Sequence, residues 1–153
     1  MRLMLLAAAI AAGLFVSKPA SAQSADGIWR TESGDAYVRV AACGSALCGT
    51  IVWLRNPIDP ETGRPVTDKN NPDPAKRSNP MIGTQIMFGM RPNGTGRWTG
   101  FFYNSKDGKT YDGNLVLLGA TSVKAEGCLI GICLGETWQR VEGAKVTKPA
   151  RKS

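Results

Sequence analysis

Four cysteines stand in two pairs of equal spacing, Cys43-Gly-Ser-Ala-Leu-Cys48 and Cys128-Leu-Ile-Gly-Ile-Cys133. In an oxidising compartment four thiols allow three pairings into two disulfides. Each pair brackets four residues that include a glycine, between stretches that read as strands. Cysteines facing each other across a hairpin reach the Cα separation of about 4.4 to 6.8 Å that a disulfide needs. The spacing therefore favours Cys43–Cys48 and Cys128–Cys133, each bridge pinning its own turn more than the whole chain. The competing chemistry is one zinc site built from all four thiolates, although zinc motifs space their ligands roughly two to four residues apart. Redox exchange is the weaker reading, because no C-x-x-C occurs. The chain has no histidine, which removes Ser-His-Asp and Cys-His catalysis, imidazole-ligated metals and imidazole pH switches together.

The remaining groups able to do acid–base chemistry are Asp68, Asp73, Asp107 and Asp112, with Lys69 and Lys109. Paired carboxylates can hydrolyse glycosides, but nothing in the spacing holds two of these at a working separation. Asp68-x-Asn70-x-x-Asp73 faintly resembles a calcium loop and lacks the glycine and terminal glutamate of an EF-hand. No metal and no cofactor is assigned on these grounds. The same polar groups suit recognition better: Asp68, Lys69, Asn70 and Arg77 could fix the polar end of a ligand. Trp53, Phe88, Trp98, Phe102 and Tyr111 could supply an apolar wall.

Short β-branched and aromatic segments must position these residues. Strands are expected near residues 27–32, 36–42, 49–55, 83–91, 96–103, 110–118, 122–127 and 134–141, separated by turns such as Ser33-Gly34-Asp35, Pro92-Asn93-Gly94 and Lys106-Asp107-Gly108. Val38 and Val40 alternate with Tyr37 and Arg39. Ile86 and Phe88 alternate with Gln85 and Met87, which would put Ile86 and Phe88 on one face. Eight consecutive antiparallel strands suggest an all-β, up-and-down barrel, whose closure removes both exposed edges; a sandwich is the alternative. Residues 56–80 interrupt the rhythm with Pro57, Pro60, Pro65, Pro72, Pro74 and Pro80. So long a loop in a compact domain is functional or disordered, and its proline density argues for a stiff, ordered one. Asp73 and Pro74 fit the cap and first position of a single helical turn.

The N-terminus reads as a secretory signal. Arg2 precedes an uncharged apolar run from Leu3 to Val16, and Ala20-Ser21-Ala22 offers a cleavage site before Gln23. The run is shorter than the roughly 20 residues that span a bilayer, and no later segment is apolar enough to do so. The expected organisation is a signal peptide over residues 1–22, one domain over residues 23–142 and a basic, disordered tail over residues 143–153. The expected location is the bacterial periplasm or the outside of the cell. The net charge of +7 comes mostly from the two ends: between Gln23 and Glu142 there are 13 Lys and Arg against 12 Asp and Glu. The folded part therefore gives no electrostatic reason to expect nucleic acid. The tail, with Lys145, Lys148, Arg151 and Lys152, suits an anionic envelope surface if it is more than a solvated end.

Several motifs occur in an order that resembles the DUF2147 family of exported bacterial proteins. They are Gly27-Ile-Trp29, Cys43-Gly44, Leu47-Cys48-Gly49-Thr50-Ile51-Val52-Trp53-Leu54 and Thr67-Asp68-Lys69-Asn70-Asn71-Pro72-Asp73-Pro74. Arg77, residues 80–83, Gly96-Arg97-Trp98, Asp107-Gly108-Lys109-Thr110-Tyr111 and Glu136-Thr137-Trp138-Gln139-Arg140-Val141 follow. The resemblance covers nearly all of residues 26–142 and implies a lipocalin-like β-barrel. It also implies that Trp29, on the first strand, packs under Arg140 from the last as a structural closure by cation–π contact. The chain departs from the family pattern at Tyr103-Asn104-Ser105-Lys106-Asp107-Gly108, where Tyr-Asp-Pro-Glu-Asp-Gly is expected. The two missing acids weaken any metal site at that turn.

Three functions are compatible with this reading. The first is non-catalytic binding of a small apolar or amphipathic molecule in a barrel mouth covered by residues 56–80, with Asp68, Lys69, Asn70, Arg77, Trp53 and Tyr111 as contacts. The second is an envelope module that binds protein or polysaccharide. The third is a carboxylate-based enzyme.

Overall fold

The computed structural model describes residues 24–144. The expected signal peptide and residues 145–153 of the expected tail lie outside them. Eight strands follow one another: β1 (Gly27–Arg30), β2 (Ala36–Cys43), β3 (Ala46–Leu54), β4 (Gln85–Pro92), β5 (Arg97–Asn104), β6 (Lys109–Leu117), β7 (Ser122–Leu129) and β8 (Ile132–Arg140). Each pairs antiparallel with the next, and β8 returns to β1 to close an up-and-down barrel.

Alternation along each strand sorts side chains between interior and exterior. On β2, Val38 and Val40 face inward and are buried. On β8 the inward series is Ile132, Leu134, Glu136, Trp138 and Arg140, the residues opposite Leu129, Gly127, Ala125 and Val123 of β7 and, on β1, Trp29. The core gathers Trp29, Val38, Val40, Met87, Met90, Leu115, Val123 and Trp138. Burying each of the two methionine side chains contributes about 2 to 3 kcal/mol. Gly113 makes room for the Phe102 ring: a Cβ there would overlap it.

The phase expected for β4 is wrong by one residue at its centre. Met87 is inward and fully buried, whereas Phe88 lies outside and stacks on Phe101, ring centroids 5.8 Å apart. The cause is irregular pairing. The β3–β4 register shifts between Gly49 and Thr50, and the β4–β5 register shifts between Phe88 and Arg91, beside Gly89 at φ 63°. Each extra residue turns the following side chains to the opposite face.

Both disulfides close within hairpins, Cys43–Cys48 and Cys128–Cys133. The strands run further into these hairpins than their sequence suggests, leaving two-residue turns. Cys128 and Cys133 are direct cross-strand partners, while Cys43–Cys48 crosses one rung diagonally.

The two ends of the barrel differ. At one end lie the short turns β2–β3, β4–β5 and β6–β7 together with Ser24 and Val141. There the Arg140 guanidinium lies 4.2 Å from the Trp29 ring centroid and donates to the carbonyls of Ser24, Asp26 and Ala120. Trp29 Nε1 donates to the Ala25 carbonyl. This end is sealed. At the other end lie the β1–β2 turn, the long β3–β4 connection, the β5–β6 turn and the tip of the β7–β8 hairpin.

Candidate functional site

The open end has two unlike sides. Over β3 and β4 the long connection folds back on itself through isolated bridges Ile58↔Pro65 and Thr67↔Pro80. Asp73 caps a single 3-10 turn, Pro74–Lys76, by accepting the Ala75 N–H. Val66 and Met81 of this connection line a concavity of about 420 Å³ with Ile51, Leu54, Ile86, Glu136 and Trp138.

The tip of the connection is latched to the β5–β6 turn. Asn70 Nδ2 donates to the carbonyls of Ser105 and Lys106, both at 3.0 Å. Gly108, at φ 70°, lets the Asn70 backbone approach so closely that any Cβ would overlap its carbonyl oxygen. Asp68, 2% exposed, receives the Tyr103 hydroxyl on one oxygen and Asn71 Nδ2 on the other, each at 2.7 Å. Burial, then the hydrogen bond to Asp68 and its charge, push the Tyr103 phenol up to about 12. Arg77 Nε donates to the Asn71 carbonyl at 2.8 Å.

Over β5 to β8 the mouth is uncovered. Phe102, Tyr111, Leu129, Ile132 and Leu134 line a concavity of about 540 Å³ on the inner face. Leu129, Ile132 and Leu134 are 61%, 69% and 79% exposed although they belong to the inward series. The reason is local: the β7–β8 hairpin runs past the rim, where no strand lies opposite. Its disulfide lies on the outer face, with Cys128 paired to Asp112 rather than among these three apolar side chains. Below this wall, Phe102 meets Trp138 edge-on at 6.1 Å, and Glu136 lines a neighbouring concavity of about 350 Å³ with Phe102, Leu134 and Trp138 as well as the covered one. Trp138 Nε1 donates to Glu136. Tyr111 donates its hydroxyl to Asp107 at 2.6 Å. That bond, then a second from the Lys109 N–H, hold the Asp107 carboxyl below its usual range, and the bond to Asp107 raises the Tyr111 phenol.

The residues singled out in the sequence are thus dispersed. Tyr111 lies on the mouth wall. Asp68, Asn70 and Arg77 hold the connection in shape, and Lys69 is exposed beside them. Trp53 stacks on Tyr37 at 4.3 Å on the outer face. Asp73 and Asp107 each serve a different turn. Glu136, Leu129, Ile132, Leu134 and Trp138 were not singled out as contacts. The signal for Ile132, Leu134, Glu136 and Trp138 was the alternation of β8, which puts one acid between apolar residues on the inward face; Leu129 closes the same alternation on β7.

The family described as an uncharacterized protein conserved in bacteria, DUF2147, matches residues 27–140. No curated protein matches. Among solved structures the chain is similar to protein HP1028 from the human pathogen Helicobacter pylori, described as belonging to the lipocalin family. The TM-score is 0.66 at 19% identity, over 78% of this chain and 84% of that one.

Proposed function

Since the chain belongs to the DUF2147 family of bacterial proteins and folds as a lipocalin-like barrel, we propose that it binds a small apolar or amphipathic molecule in its open mouth without catalysing a reaction on it. One observation carries the reading: the inner face of β5 to β8 leaves Leu129, Ile132 and Leu134 in solvent around a concavity large enough for a small ligand. Apolar surface left in water costs about 25 cal/mol per Å², so an apolar occupant of that wall stabilises the complex. An eight-stranded barrel is wide enough to hold one such molecule. The covered side, roofed by Val66 and Met81, limits how deep it reaches.

Native mass spectrometry of the protein purified from its own host tests this. The expected spectrum has an adduct that is lost on denaturation and is absent from Leu134→Arg. An adduct unaffected by Leu134→Arg places the ligand elsewhere and sinks the reading. Export belongs to the same proposal, since two disulfides call for an oxidising compartment. Protein recovered from the periplasm should begin at Gln23.

Ile130 favours a second reading, an envelope-interaction module. It stands at the hairpin tip 94% exposed. Under that reading Ile130→Asn lowers the envelope-retained fraction; under the first it leaves the adduct intact.

A further inference from the structure

We infer that the mouth selects amphiphiles with a cationic, hydrogen-bond-donating head, which Glu136 receives while the apolar part lies against Leu134, Ile132 and Leu129. This inference rests on the mouth being a binding site, as proposed above.

The arrangement comes from one strand. The inward residues of β8 read, from rim to floor, Ile132, Leu134, Glu136, Trp138 and Arg140. Strand rise is about 3.3 Å per residue, so Glu136 lies roughly 13 Å below Ile132. The acid is therefore deep and the apolar wall shallow. A ligand that satisfies both enters head first and leaves its apolar part along the rim.

The Glu136 carboxylate is half-buried and oriented by the Trp138 indole N–H. Among the described residues it makes no ion pair. The cation nearest in sequence on the same face, Arg140, is committed at the sealed end to Trp29 and three backbone carbonyls. The cations sharing the covered side of the mouth are Arg55 and Lys106. Arg55 is 3.4 Å from Asp35, and Lys106 is exposed on the turn that Asn70 grips. Glu136 thus has spare lone pairs beside Leu134, whereas Glu126, which lines the same concavity, lies 2.6 Å from the Lys124 ammonium. Charge-assisted hydrogen bonds are about twice as strong as neutral ones, and the apolar part of a bound amphiphile would keep water from them. A carboxylate head at the same depth meets like charge instead.

Three probes with one tail separate the possibilities: decylammonium, decanol and decanoate, each titrated below aggregation by displacement of a fluorescent naphthylamine from the purified protein. Decylammonium should bind about tenfold or more tighter than decanoate, with decanol between them. Glu136→Gln, which keeps the side-chain shape, should remove the preference, bringing decylammonium and decanoate within about threefold of one another. An unaltered far-ultraviolet circular dichroism spectrum and melting temperature report that the variant is folded. Equal affinities in the unaltered protein, or decanoate as the tightest, overturn the charge assignment and leave the mouth as a binding site. No binding of any of the three overturns the mouth itself.

Discussion

Tyr103 shows how one side chain can carry a measurable pH dependence. Its phenol donates to a carboxylate that is 2% exposed, and it is pushed from 10.0 up to about 12. The folded chain keeps this proton at pH values where the unfolded chain has lost it. The contribution is therefore complete below pH 10 and lost as pH rises towards 12. Urea midpoints should fall more steeply across that interval in the unaltered protein than in Tyr103→Phe, and Tyr103→Phe should remove the latest step of the phenolate absorbance titration. At neutral pH the same substitution costs about 1 to 2 kcal/mol, because Asp68 keeps its burial and loses a donor. Ile130 presents the opposite case. It adopts φ 50°, followed by Gly131 at φ 75°, the left-handed pair of a type I′ hairpin turn. A β-branched residue is strained there. Ile130→Asn should raise stability by about 1 kcal/mol, read as a melting temperature about 4 °C higher. A lower melting temperature would show that the turn relaxes differently.

At the scale of elements, the β3–β4 connection is held by contacts that its sequence advertises ambiguously. Asp, Asn, Lys and Arg in a proline-rich loop suit a ligand and suit internal capping equally well. Here Asp68, Asn70 and Arg77 are spent on the latch and the loop itself. The strands were more legible, since alternation and Gly/Asn/Asp turns are local signals. What escaped was the phase of β4, because bulges at Gly49/Thr50 and around Gly89 insert residues that no pattern of two anticipates. The single 3-10 turn at Pro74–Lys76 was legible for the same reason the strands were: Asp73 and Pro74 act on their immediate neighbours. The latch yields its own expectation. Gly108→Ala should push Asn70 away from the β5–β6 turn. Amide exchange in residues 105–108 and 68–71 should then accelerate while that of β7 and β8 does not change. Uniform acceleration would mean that the whole barrel depends on this contact.

The molecule as a whole depends on β1, which is only four residues long, meeting β8. So short a seam holds through its side chains: Arg140 bridges the carbonyls of Ser24, Asp26 and Ala120 above the buried Trp29 ring. Arg140→Leu should destabilise the barrel by about 2 kcal/mol, measured as a lower denaturant midpoint, with little change in ligand affinity at the far end. Closure itself could be anticipated from eight strands and two edges needing partners. The division into a roofed and an uncovered half could not, because it depends on how far one hairpin overshoots the rim. The same seam has a corollary for the order of the chain. The Val141 N–H donates to the Ile28 carbonyl, so the first and last strands of the barrel lie side by side, and a short linker would splice the barrel's two ends. Cutting instead between Asn93 and Gly94, in an exposed turn on the sealed side, would give a circularly permuted polypeptide that starts in the middle of today's sequence. It should still refold to the same eight-stranded cylinder.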